Sequence, residues 1–213
     1  MNSKMQRGAL LGLVLLLAAG VSCVNVSIVN QEISDGQPTS ASAGQGCPQY
    51  GEVVGNVVIN GGFEEGQHGW ELTSTGTGAT WREHELIGEA PGFEPRSGTW
   101  AARLGGHEGS FDRLEQQVII PTGGLLTFWW QIRRPRPVSR LTVSLASPDG
   151  SQGIVLAVHD DGKSETGWQQ DCIDLSQYAG QEYVLRIHVA NDNYTMTAFD
   201  IDDVELGSAE EPQ

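Results

Sequence analysis

Between about residue 53 and residue 206 the chain is a succession of short apolar–polar alternations separated by Gly, Pro, Asn and Asp. Period-two alternation predicts strands, because successive side chains leave a strand on opposite faces. The runs predict strands near 56–59, 69–73, 78–85, 100–104, 114–120, 125–132, 140–146, 153–158, 168–174, 182–190 and 197–206. No segment keeps a helical period over three turns, and no internal repeat is visible. Short strands in this number, with turn residues between nearly all of them, predict an all-β fold: one antiparallel β-sandwich of the jelly-roll kind.

Three runs fix the faces. Leu126, Phe128, Trp130 and Ile132 point one way, as do Leu141, Val143 and Leu145, and then Tyr183, Leu185, Ile187 and Val189. These are predicted core faces, each large side chain contributing roughly 1.5–3 kcal/mol when buried. The opposite faces carry Trp129 and Gln131, Thr142 and Ser144, and Arg186 and His188. A polar sheet face with an aromatic on it suits a ligand. Trp129 offers a flat apolar surface, and Gln131, Arg186 and His188 offer hydrogen bonds. A loop lying over Trp129 is the competing reading. Trp70 and Trp168 are expected in the core, and Trp81 and Tyr194 at loop tips.

The closing run breaks its own rhythm. Phe199 and Ile201 keep one phase, Val204 and Leu206 the other, so one extra residue must be absorbed at Asp202-Asp203 as a bulge or kink. Adjacent carboxylates beside a core strand need a counter-charge or open water. A bound calcium ion is one way to supply the charge; a solvated strand end is the other.

The first 23 residues read as a secretory signal: Lys4 and Arg7, then an apolar stretch over 8–22 too short to span a bilayer comfortably. Gly20-Val21-Ser22-Cys23 resembles a bacterial lipobox, departing from it at Gly20, where leucine is usual. Lipidation of Cys23 and ordinary cleavage after Ser22 or Cys23 both remain open. Removing the leader takes two positive charges and no negative ones, so the formal charge falls from −15 to −17. That charge disfavours nucleic acid and anionic membranes; contact with a membrane is expected only through a lipid on Cys23. Residues 24–52 are expected to be a flexible spacer, 53–207 the folded domain and 208–213 a tail. In an oxidising compartment Cys47 and Cys172 can form a bridge; two lone thiols are the alternative. The expected location is outside the cell or on its envelope.

The segments Ile59-Asn60-Gly61-Gly62-Phe63-Glu64-Glu65-Gly66 with Gly69-Trp70, Ser97-Gly98-Thr99-Trp100-Ala101-Ala102-Arg103-Leu104-Gly105, Gly167-Trp168 before Asp174-Leu175-Ser176, and Phe199-Asp200-Ile201-Asp202-Asp203-Val204 stand in an order and spacing that resembles the galactose-binding-like jelly rolls. That group includes calcium-containing carbohydrate-binding modules, and the second half of the chain is similar to MAM domains. The resemblance covers about residues 54–206. It implies a structural calcium held by Glu64 and Asp202, with Asp203 as a substitute and carbonyls from near Asn60 and from Ser97 to Trp100. Six to eight oxygen ligands suit calcium, and two carboxylates with loop carbonyls supply most of them.

Other chemistry is weaker. His84-Glu85-Leu86-Ile87-Gly88 begins like a zinc-protease helix but lacks the second histidine. His68, His107 and His159 show no ligand spacing, and no nucleophile elbow is visible. Arg133, Arg134, Arg136 and Arg140, with Pro135 and Pro137 between them, read as a solvated hairpin loop or a grip for an anionic partner. The expectation is a non-catalytic binding module for a glycan or another cell-surface ligand. An adhesion domain that meets an envelope protein is the alternative, and a hydrolase with paired acids in a deep cleft a third.

Overall fold

A computed structural model describes residues 47, 50–133, 139–160 and 167–209. The leader, most of the expected spacer and the arginines at 134 and 136 lie outside these residues. Among the described residues the strands are β1 (Val53–Val54), β2 (Glu71–Gly76), β3 (Ile87–Glu89), β4 (Trp100–Gly105), β5 (Ser110–Ile119), β6 (Gly124–Arg133), β7 (Arg140–Ala146), β8 (Gly153–Asp160), β9 (Gln169–Asp174), β10 (Glu182–Ala190) and β11 (Ala198–Ala209). They form two antiparallel sheets. The first runs β3-β4-β11-β6-β9, with β1 beside the end of β11; the second runs β2-β5-β10-β7-β8.

The core lies between the sheets and follows the predicted faces. Leu126, Phe128, Trp130 and Ile132 of β6 meet Leu141, Val143 and Leu145 of β7 and Leu185, Ile187 and Val189 of β10 in one buried cluster. Trp70 joins it, its ring 5.5 Å from that of Phe63 and its indole N–H donating to the Asn60 carbonyl. Trp168 is only half-buried.

Strand β11 carries the predicted irregularity. Asp202 pairs with Trp129 and Glu205 with Thr127, so three steps on β11 match two on β6. Asp203 takes the strain, with φ of 47°, in the left-handed region that L-residues seldom adopt. The bulge lets Phe199 and Ile201 before it, and Val204 and Leu206 after it, all reach the core with no exposed surface.

Two predicted strands are absent. Residues 56–59 are irregular, and Val58 points in (6% exposed) while Val57 and Ile59 point out (38% and 53%). The segment still serves the sheet: Val57 N–H donates to the Leu206 carbonyl, Leu206 N–H to the Asn56 side chain, and Val204 N–H to Gly61. An asparagine side chain replaces a strand carbonyl, which alternation cannot foretell. Gly61 has to be glycine, because a Cβ there would lie 1.8 Å from the Val204 oxygen. Residues 78–85 form a loop instead, with Trp81 packed over Gly76, and the strand begins only at Ile87.

The sandwich also separates the four predicted ligand residues. β6 belongs to the first sheet and β10 to the second, and their core faces look at each other. The outward side chains Trp129 and Gln131 therefore leave the molecule on one side, Arg186 and His188 on the other. Alternation distinguishes inside from outside; it does not say which outside.

Cys47 is disulfide-bonded to Cys172 on β9, with the Cα atoms 5.9 Å apart. Within the segment expected as spacer, Cys47 is thus tied to the folded domain. From Cys47 the chain is fastened to the first sheet, and β1 pairs Val53 with Ala209 and Val54 with Ser208.

Candidate functional site

The outer face of the first sheet is covered at one end and open at the middle. At the covered end Asp200, with no exposed surface, accepts from Arg103 Nε (2.6 Å), Arg133 Nε (2.5 Å) and Gln131 Nε2 (2.9 Å). Arg103 also donates to the Gly92 carbonyl and lies 4.9 Å from the Phe93 ring centre, while Arg133 pairs with Glu94. The loop over 90–95 thus lies across this end. Gln131 is buried there with its amide nitrogen donating to Asp200, and Arg133 belongs to the same network.

Beyond it opens a cleft of about 910 Å³. Its floor is Trp129 and Thr127 of β6, Gln170 of β9, and Asp203 and Glu205 of β11; Cys47 and Tyr50 to Val53 form one wall and Arg96 another. The register explains the grouping. Trp129 is flanked by Gln170 and Asp202, and Thr127 by Cys172 and Glu205, so one outward patch of three strands collects them. The disulfide at Cys172 holds the wall against that patch. Arg96 lies over Trp129, its guanidinium carbon 3.9 Å from the ring centre, and its guanidinium bonds Asp203 at 2.5 Å. Burial and the charge of Asp203 push the Glu205 carboxyl above its ordinary range. Tyr50, Glu52, Arg96, Gln170 and Glu205 went unnoticed in the sequence, because four strands and a disulfide have to be in register before they become neighbours.

The two acids expected to hold calcium converge on one loop, 96–100. Asp202 Oδ2 accepts the N–H groups of Arg96 (2.8 Å) and Ser97 (3.2 Å); Glu64 Oε1 accepts those of Thr99 (2.9 Å) and Trp100 (3.0 Å), and its Oε2 the Thr99 hydroxyl. The loop thus turns N–H groups, rather than the expected carbonyls, toward both carboxylates. A Cβ on Gly98 would lie 2.1 Å from Glu64 Oε1, so the loop fits around that carboxylate only as glycine. For Glu64, lost hydration pulls upward, but the bonds from Trp100 and Thr99 outweigh it and hold the carboxyl below its usual range. Burial, and then the charge of Asp203, pushes Asp202 up to about 6.

A calcium ion fits this corner on charge. Asp202 is wholly buried and receives only backbone donors, while the neighbouring Asp203 has Arg96 and the Ser97 hydroxyl. Among the described residues no three acidic, histidine or cysteine side chains gather around a common point. The side chains would therefore supply two ligands, Glu64 and Asp202; the 96–100 loop turns N–H groups toward them, so the remaining ligands would have to be water or carbonyls of other segments.

On the far side, the outer face of the second sheet holds the other two predicted residues in a network of its own. Glu115 of β5 bonds Arg186 Nε at 2.7 Å and Arg113 Nε at 2.9 Å, and His188 packs 5.6 Å from the Phe111 ring centre. Burial, then the charges of Arg186 and Arg113, depress the His188 pKa below 6.5. A base depressed in the fold stabilises it fully above the unfolded value and loses that contribution as pH falls toward the folded one. Melting temperatures measured from pH 7.5 down to 5 are therefore expected to fall less steeply in His188→Gln than in the parent.

Three further histidines make contacts within the domain. His159 Nε2 lies 2.7 Å from Asp171, whose other oxygen accepts from the Trp130 indole. His84 Nε2 lies 3.4 Å from the buried Asp112, its ring 4.5 Å from that of His107. These contacts tie elements together inside the domain.

No family model matches the chain, and no curated protein matches it. Solved structures do. The TmCBM61 module, known in complex with beta-1,4-galactotriose, superposes with a TM-score of 0.52 at 19% identity, over 72% of this chain and 98% of that one. A Family 16 carbohydrate-binding module gives 0.46 at 18%, over 71% and 99%. The K3 cleaved adhesin domain of Lys-gingipain from Porphyromonas gingivalis W83 gives 0.47 at 19%, over 71% and 99%. With two antiparallel sheets in this strand order, and a carbohydrate-binding module superposing along nearly its whole length, the chain has a jelly-roll β-sandwich fold like that module's.

Proposed function

We propose that the protein is a non-catalytic binding module that takes a glycan in the cleft over Trp129 and carries a structural calcium at Glu64 and Asp202. The observation that carries the first part is the composition of the cleft: an aromatic floor, a tyrosine in the wall, and an amide, a hydroxyl, a guanidinium and carboxylates around them. Sugar rings present apolar faces and a fringe of hydroxyls, and that pairing of surfaces recognises both. The likeness to a galactotriose-binding module supports the reading as analogy of fold, and the disulfide supports a place outside the cell or on its envelope.

Trp129→Ala tests the site. Its ring is half-buried on an outer face, so truncation is expected to abolish retention on an array of neutral and charged glycans while leaving the melting temperature within a few degrees of the parent. Retention unchanged in the variant would remove the cleft as the site. Retention of envelope proteins, with no glycan held, would instead favour the adhesion reading.

A further inference from the structure

The cleft holds a cation already. The Arg96 guanidinium carbon lies 3.9 Å from the centre of the Trp129 ring and its nitrogen reaches Asp203, so a positive group is held between an aromatic ring and a carboxylate, the arrangement by which proteins hold ammonium and guanidinium groups. The cleft has more negative charge than this one group answers. Glu52, Asp203 and Glu205 all line it, against Arg96 alone. Asp203 takes the arginine; Glu205 stands over Thr127 on the same patch, and Glu52 faces it from the disulfide-held wall.

A neutral sugar stacking on Trp129 must displace Arg96 from both partners and supplies no cation in its place for Asp203, Glu205 and Glu52. A sugar with a primary ammonium replaces that cation in kind, its amine taking the Asp203 carboxylate as its ring takes Trp129, while Glu205 and Glu52, both exposed, accept further ammonium groups. The whole-chain charge of −15 acts in the same direction, drawing polycations to the protein from a distance. From the cavity, its aromatic floor and its internal cation we infer that the ligand of this cleft is a glycan bearing free amino groups, a de-N-acetylated hexosamine oligomer. The inference rests on the glycan reading of the same cleft and specifies its chemical class.

The test is titration calorimetry of the full domain with two tetramers that differ only at nitrogen: β-1,4-linked glucosamine and its N-acetylated counterpart. The expected result is at least a tenfold preference for the free amine, weakening as salt rises. Glu205→Gln and Glu52→Gln are each expected to reduce that preference severalfold, with melting temperatures near the parent's. Trp129→Ala keeps every charge and is expected to lose the amine-bearing tetramer as well. Equal or tighter binding of the acetylated tetramer would overturn the inference and leave the glycan reading standing. Binding of the amine tetramer that survives in Trp129→Ala would also overturn it, as attraction to net charge alone. If neither tetramer binds, nor any glycan on an array, both readings fall together.

Discussion

Asp200→Ala is expected to be among the most damaging single substitutions in the chain, lowering stability by about 3–5 kcal/mol. The carboxylate has no exposed surface and is the common partner of Arg103 and Arg133, with Gln131 as a third donor. Removing it leaves the partly buried Arg103 without a carboxylate partner and Arg133 with only the exposed Glu94. The loss is greater than the net worth of the ion pairs, since what remains is an uncompensated charge in a poorly hydrated place. At about 2–4 °C per kcal/mol for a chain of this size, the melting temperature should drop by roughly 10 °C, and chemical denaturation should show the same loss. A substitution that costs less than a degree would mean that water reaches this network freely.

Chelation is the second. With calcium present at about a hundred times its dissociation constant, linkage stabilises the fold by roughly 2.7 kcal/mol, so excess EDTA should lower the melting temperature by about 5–10 °C. Asp202→Asn and Glu64→Gln keep the side-chain shape and part of the hydrogen bonding to the 96–100 loop. They should therefore melt alike with and without chelator. A parent protein indifferent to EDTA would show that the backbone N–H groups of Arg96, Ser97, Thr99 and Trp100 satisfy the two carboxylates unaided.

Much of the fold was legible because burial on one face imposes a local rule. Leu126 to Ile132 and Leu185 to Val189 announce their inward sides, and the phase change between Ile201 and Val204 announces the bulge before any coordinates exist. The site was legible only in fragments. Trp129 was visible as an outward aromatic, yet Gln131 beside it is drawn to Asp200, and Arg186 and His188 face the other way. Those outcomes depend on which strands become neighbours, on a loop at 90–95 and on a disulfide spanning 125 residues. None leaves a periodic trace. The pair Glu64 and Asp202 was different: a resemblance in order and spacing supplied what alternation could not, and both acids do reach the same loop.

The bond between Cys47 and Cys172 also determines how the domain answers mechanical force. Tension applied from the N-terminal side enters at Cys47 and passes directly into β9, so the two paired residues of β1 carry none of it. Among the described residues β9 is an edge strand paired with β6 alone, so that ladder takes up the load first. Reduced, the same tether would instead peel β1 from β11 first, at far lower force.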